Sequence, residues 1–372
     1  MINLEEYMNV LLIGGTGTLS SDTTRLCIKK GYEVYLFNRG HRNIFSGENV
    51  HYLIGDINNF KQAKDIIRDF QFDVVIDYLT FSVDILKSRI NLFNGHCKQY
   101  IFISSATVFK NINEILNESS PKGDTGWNYA QNKYLCERYL NEHKGEFDFS
   151  FTIVRPYITY DDRRIPFPVI TKKSYWSIID RIKKDKAILI CDDGNAKLTL
   201  THTLDFAVGI VGLFLNEQAY NNDFNIVGDT VGTWNDILHI VEEYVGRKAK
   251  VIYVPSETLG KDFTTQKVEL LCDKRHSHIF DNTKIKKAVP DFKTSLNLHD
   301  GLYHTLNYLN GIPELQKTDK YWNNTIDVLS SKYSKELGEV VSVKQRIIYL
   351  LQEHKYMRQI GRIARKLKIW RF

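Results

Sequence analysis

No CxxC pair occurs in this chain. Its five cysteines, Cys27, Cys97, Cys136, Cys191 and Cys272, are scattered and odd in number, which argues against a disulfide framework and against a cysteine-held zinc site. No metal is expected, and a reducing cytoplasm fits. Nowhere do eighteen apolar residues follow one another, so no membrane-spanning helix is expected. The first residues carry Glu5 and Glu6 and no basic stretch before a short apolar run, a pattern unlike a secretion signal. Internal repeats and low-complexity linkers are missing too.

What the chain does have is the make-up of a soluble globular protein. Its 372 residues are 43% hydrophobic and 25% charged, enough for one large or two ordinary domains with a sizeable core. The net charge of +6 is unevenly placed. Seven Lys or Arg and no acid lie between His354 and Phe372, and the rest holds 43 basic against 44 acidic residues. The excess is a tail on a nearly neutral body.

Short apolar runs alternate with amphipathic segments over the first 155 residues. Val10 to Ile13, Val34 to Phe37, Tyr52 to Ile54, Val74 to Ile76, Tyr100 to Ile103 and Phe149 to Val154 read as buried parallel strands. Helical patterns at Ser21 to Lys30, Lys61 to Phe70, Val83 to Phe93 and Tyr129 to His143 separate them. The expected fold class is α/β, a Rossmann-type doubly wound parallel sheet. After Pro156 the alternation loosens around Pro166, Pro168, Pro255 and Pro290, with helices at Tyr175 to Lys183, Leu204 to Glu217 and Thr233 to Tyr244. This predicts a dinucleotide-binding domain over 1–160 to which later segments return, a smaller mixed α/β substrate region over 161–310, and a helical extension over 311–372.

The first strand opens into G14-G-T-G-T-L-S20. Glycines between a strand and a helix let the backbone approach a pyrophosphate, which the helix N-terminus then attracts. The third fingerprint position is Ser20, small enough for close packing. The second strand ends F37-N-R-G40, where an acid usually meets the ribose 2′-hydroxyl. Asn38 lacks the charge that would repel a 2′-phosphate and Arg39 supplies a cation for one, so NADP is favoured over NAD. Asp56, after the third strand, either accepts from an adenine amino group or closes a turn. Downstream, Y129-A-Q-N-K133 places a phenol and an ammonium four residues apart on one helix face. The lysine can there lower the phenol's pKa and hold a ribose while the tyrosine moves a proton. A strand-end serine lies 24 positions earlier.

GGTGTLS, Gly55-Asp56, SSATVF, YAQNK and Arg155-Pro156, in this order, resemble the extended and atypical short-chain dehydrogenase/reductases, the NAD-dependent epimerase/dehydratase family. The resemblance covers about residues 9 to 310, with T199-L-T-H-T-L-D-F-A and F280-D-N-T-K-I-K as later landmarks. It implies hydride transfer, usually on nucleotide-linked sugars, with Ser105, Tyr129 and Lys133 catalytic. It further implies a cofactor held by Gly14, Gly15, Thr16, Gly17, Thr18, Leu19, Asn38, Arg39, Asp56, Ile57, Tyr78, Leu79, Ser104, Tyr129, Lys133 and Pro156. Thr80, Phe81, Thr107, Tyr157 and Arg163 are the candidates for the substrate.

Dehydratases of the family follow the hydroxyl residue with an Asp-Glu pair; here Ala106 and Thr107 stand there. An epimerase similar to UDP-galactose 4-epimerase, or a reductase, is therefore expected, serving surface polysaccharide synthesis. Two departures concern phosphate contacts: Ile158 and Leu198 stand where Asn and Arg are common. The N-R-G turn and the C191-D-D-G-N-A-K stretch resemble the atypical branch related to chloroplast stem-loop-binding proteins, some of which bind RNA. The alternative expectation is thus a binding protein on the same fold.

The tail, Y356 to F372, spaces Ile360, Ile363, Leu367 and Trp370 helically among Arg and Lys. It suits docking on this chain or a second copy, as in a homodimer, or a peripheral contact with an anionic inner membrane face. Nucleic acid is the less favoured partner of this basic surface.

Overall fold

The computed structural model describes residues 8–112 and 114–333. Its strands are β1 (Asn9–Ile13), β2 (Glu33–Asn38), β3 (Val50–Ile54), β4 (Phe72–Asp77), β5 (Cys97–Ile103), β6 (Ser150–Pro156), β7 (Thr159–Tyr160), β8 (Ala187–Cys191), β9 (Leu198–His202), β10 (Asn222–Ile226), β11 (Thr230–Gly232) and β12 (Lys250–Val254). The helices used below are α1 (Thr18–Lys29), α2 (Phe60–Ile67), α3 (Val83–Phe93), α4 (Asn128–Glu142), α5 (Trp176–Lys183), α6 (Thr203–Val211) and α7 (Trp234–Val245).

The chain divides into two units. The first holds the stretch up to Asp161, Lys197–Gly232 and Ser277–Leu298; the second holds Asp162–Ala196, Thr233–His276 and the chain from His299. The second unit is therefore not the continuous 161–310 stretch. Residues 197–232 belong to the first because β10 pairs with β6 and β9 pairs with β7. Residues from 311 to 333 belong to the second rather than forming a separate extension.

In the first unit a seven-stranded sheet runs β10-β6-β5-β4-β1-β2-β3, with all its pairings parallel. Strands buried on both faces read as near-continuous apolar runs, as Val10–Ile13 of β1 and Val74–Ile76 of β4 do. Val10 and Leu12 of β1, with Ile101 and Ile103 of β5, join Phe206, Ile210 and Val211 of α6 on one face. Leu11, Ile13, Tyr100 and Phe102 join Ala63 and Ile67 of α2, Leu86, Ile90 and Phe93 of α3, and Cys136 and Leu140 of α4 on the other. Two cores, one on each side, make the doubly wound sheet. A three-stranded sheet, β11-β9-β7, also belongs to this unit.

The expected helix over Leu204–Glu217 stops at Val211. Gly212 lies so close to the core that an added Cβ would stand 2.2 Å from Val289, and Leu215 takes a left-handed φ of 49°. The turn lets the Leu213 carbonyl accept from Gln99, a buried residue of β5.

In the second unit β8 pairs in parallel with β12. Helix α7 begins with a capping box between Thr233 and Asp236 and ends at Gly246, whose φ of 71° is the left-handed cap. The helix Lys320–Tyr333 is tied down by Asp327, whose Oδ1 lies 2.7 Å from the fully buried Arg181 of α5. No helix among the described residues is long and apolar enough to cross a membrane. The basic tail from His354 lies outside the described residues.

Candidate active site

The glycine loop is shaped by close approach. Gly14 has a φ of 86°, and a Cβ there would stand 2.9 Å from Leu79 Cγ; one at Gly15 would stand 2.6 Å from Leu36. Ser20, at the third fingerprint position, does more than stay small. Its buried hydroxyl accepts from Gly17 N–H at 2.9 Å and donates to the Gly14 carbonyl at 2.6 Å, bracing the loop across its mouth. Thr24 Oγ1 holds the Gly15 carbonyl at 2.8 Å. Thr16, Thr18 and Leu19 are half-buried here, and no acid occupies the first turn of α1. The positive end of the helix is thus uncompensated, which suits a diphosphate.

At the end of β2, Asn38 Oδ1 accepts from Gly40 N–H at 2.7 Å, while its Nδ2 is buried with no partner among the described residues. An orphaned donor is costly unless a ligand meets it, so this position fits a dinucleotide's adenosine end. Arg39 is exposed beside it. Asp56 is exposed, and its Oδ1 accepts from Asn58 N–H at 3.0 Å, which is the turn-closing role. Ile57 is buried among the sheet-face residues under α2 and α3.

The catalytic candidates come together in the first unit. Ser105 follows β5 and Tyr129 is the second residue of α4, which brings the two hydroxyls near each other. Thr107 bonds Ser105 Oγ by its hydroxyl at 2.9 Å. Lys133 is 1% exposed, and its Nζ donates to the carbonyls of Thr80 and Ile103, each at 2.6 Å. It lies 4.6 Å from the Phe81 ring centroid and 6.0 Å from that of Tyr129. Burial lowers its pKa to about 8, with Asp77 opposing the shift. Burial raises the Tyr129 pKa and the nearby Ser105 hydroxyl offsets only part. The expected lowering of the phenol by Lys133 is therefore not what this structure has: the ammonium is spent on two carbonyls and desolvation wins.

Several expected contacts are engaged otherwise. Thr80 is fully buried with its hydroxyl on Asp77 at 2.7 Å, so it serves the site through its carbonyl. Tyr157 is buried, its phenol 3.0 Å from His278 Nδ1. Ser104 gives its hydroxyl to Glu137 at 2.5 Å, and Glu137 takes a two-pronged bond from Arg155, which also reaches Asp223 at 2.7 Å. Arg155 is thus a structural ion pair beside Pro156. Tyr78 turns its phenol to Thr23 at 3.2 Å. Arg163 lies in the second unit, 3.1 Å from the Tyr308 hydroxyl. Ile158 sits in the left-handed region at φ 29°, strain of the kind concentrated at working sites. Leu86 and Ile90 mark the buried stripe of α3, and Arg89 lies within it; that pattern, and an acid closing the apolar run V74-V-I-D77, were the signals for a pair the motifs do not reveal.

A glycine-rich strand-to-helix turn followed by a serine, a tyrosine and a lysine gathered beyond the sheet's carboxyl ends defines a nucleotide-dependent enzyme of the short-chain dehydrogenase/reductase type. The chain belongs to the NAD dependent epimerase/dehydratase family, which it matches over residues 10–227. A curated relative, the chloroplast stem-loop binding protein of 41 kDa b from Arabidopsis thaliana, is 25% identical over 89% of this chain and 86% of its own. Among solved structures, the UDP-glucuronic acid 4-epimerase of Bacillus cereus superimposes with a TM-score of 0.67 at 16% identity, covering 82% of this chain and 99% of its own. The dTDP-glucose 4,6-dehydratase of Bacillus anthracis does so at 0.65 and 15%, covering 82% and 98%.

Proposed function

We propose that this chain is an epimerase or reductase of a nucleotide-linked sugar, serving surface polysaccharide synthesis. The observation that carries the reading is the cluster of Ser105, Tyr129 and Lys133, with the Ser105 hydroxyl close enough to the Tyr129 phenol to favour its ionisation and the buried Lys133 Nζ 6.0 Å from the Tyr129 ring centroid. A nicotinamide nucleotide bound at the glycine loop supplies the acceptor and donor of hydride. Tyr129 takes or returns the proton at the substrate oxygen, and Ser105 orients that oxygen. Lys133 supplies the positive charge that holds a ribose hydroxyl. Ala106 is buried and Thr107 is bonded to Ser105, so neither position offers a carboxylate to protonate a leaving hydroxyl. That favours reversible oxidation over elimination. The orphaned Asn38 amide and exposed Arg39 favour NADP as cofactor, with NAD the alternative.

The test is conversion of UDP-galactose or UDP-glucose by the purified protein, followed by NMR, with Tyr129→Phe as control. The variant should keep cofactor binding and lose about two to four orders of magnitude in rate; unchanged turnover removes Tyr129 from the mechanism. Mass spectrometry separates the two activities: retained NAD supports an epimerase, and a requirement for added NADPH supports a reductase.

A second reading, RNA or partner binding on this fold, is favoured by the name of the Arabidopsis relative and by the basic tail. Deleting 354–372 should abolish salt-dependent RNA binding under that reading and leave turnover intact under the first.

A further inference from the structure

Strand β4 ends on Asp77, an acid with no exposure. Its Oδ1 accepts from Leu79 N–H at 2.7 Å, and its Oδ2 accepts from the Thr80 hydroxyl and the Tyr100 phenol, both at 2.7 Å. Arg89 of α3 brings Nε to 3.3 Å from Oδ2. The other two guanidinium nitrogens leave the pair: Nη1 donates to the Ile57 carbonyl at 2.7 Å and Nη2 to Asn58 Oδ1 at 2.8 Å. The Thr80 carbonyl in turn accepts from Lys133. One chain of polar contacts, buried at Arg89, Asp77, Thr80 and Lys133, therefore runs from the turn after β3 to the lysine beside Tyr129.

We infer that Asp77 and Arg89 are positioning residues of the active site: they lock segment 78–81 to the turn at 56–58 and, through the Thr80 carbonyl, fix Lys133. A buried ion pair adds little to stability over well-packed apolar side chains, whereas only hydrogen-bonding groups can orient main-chain carbonyls and amides at both ends of such a link. Asp77 also carries the largest charge contribution keeping Lys133 protonated against burial. The inference rests on the assignment of Lys133 to the cofactor site.

The experiment is a fluorescence titration of the full-length protein with NADPH and with NADH from about pH 6.5 to about pH 10, with a melting curve for each variant. Wild-type affinity should fall as pH rises through the range in which Lys133 loses its proton. Asp77→Asn should lower that midpoint by about one pH unit, the scale of removing a nearby opposite charge. Arg89→Lys keeps the charge but cannot reach Ile57 and Asn58 together; affinity should drop several-fold with the midpoint unmoved. A folded Asp77→Asn protein with the wild-type midpoint overturns the inference. If Asp77→Asn does not fold, the double variant Asp77→Asn/Arg89→Gln removes both charges at once, and its midpoint should still fall but by less, because the two charges partly cancel at Lys133; failure of both to fold also overturns a positioning role. A wild-type protein that binds neither NADPH nor NADH at any pH is a separate failure, which overturns the cofactor reading and with it the role given to Lys133.

Discussion

Lys133 gives a titration its sign. Burial lowers its pKa from 10.5 to about 8. Between those values the unfolded chain still holds a proton that the folded protein has released, so ν_U exceeds ν_N and stability rises with pH. Below the lower value the lysine costs the fold its full penalty; above the upper value it costs none. A gap of roughly 2.5 units at about 1.36 kcal/mol each makes the penalty about 3 kcal/mol. The perturbation is Lys133→Met, which keeps an unbranched chain of similar length and has nothing to titrate. Urea unfolding of both proteins is followed from about pH 7 to about pH 10.5. Other tyrosines and lysines titrate in both proteins and cancel in the difference. Wild-type stability minus variant stability should climb by about 3 kcal/mol between the two pKa values. A flat difference would mean that water or a rearranged Thr80 carbonyl relieves the burial, and the reasoning would be wrong.

Further variants test the loop and the structural ion pair. Gly14→Ala forces a side chain into the left-handed region at about 1–2 kcal/mol and against Leu79; NADH binding by fluorescence should weaken about tenfold. Ser20→Ala removes both bonds across the loop mouth, worth about 1 kcal/mol each, and should weaken binding of the nicotinamide cofactor several-fold and lower Tm by a few degrees. Arg155→Met strands the buried Glu137 carboxylate, a loss of about 3–5 kcal/mol; a melting curve that hardly shifts would show Ser104 and water to be sufficient partners.

Much of the first unit was legible because a strand covered on both faces leaves an uninterrupted apolar run, and Val10–Ile13 or Val74–Ile76 can be read directly. The order of motifs likewise led to Ser105, Tyr129 and Lys133. What the sequence hid was set by partners distant along the chain. Helix α6 ends at Val211, where Gly212 packs so closely on Val289 that no side chain would fit, and nothing local announces that. Thr80 and Tyr157 looked like substrate ligands, yet Asp77 and His278 claim their hydroxyls. Arg89 hid in plain view: a single cation on an apolar helix stripe matters only when its acid on the neighbouring strand is known.

The edge strand β10 has a bearing on how the protein is made. Strand β6 is complete at Pro156, but the partner that covers its open side is not synthesised until Asn222–Ile226, and Ile285, Val289 and Phe292 still have to arrive over one sheet face. A nascent chain, or a fragment cut at residue 160, therefore presents a bare parallel edge and an uncovered apolar face, the features that promote association between chains. The first unit can close only after Leu298 has left the ribosome. Attempts to express it alone should keep all three of its segments and join them across the excised parts, rather than cut at the end of the sixth strand.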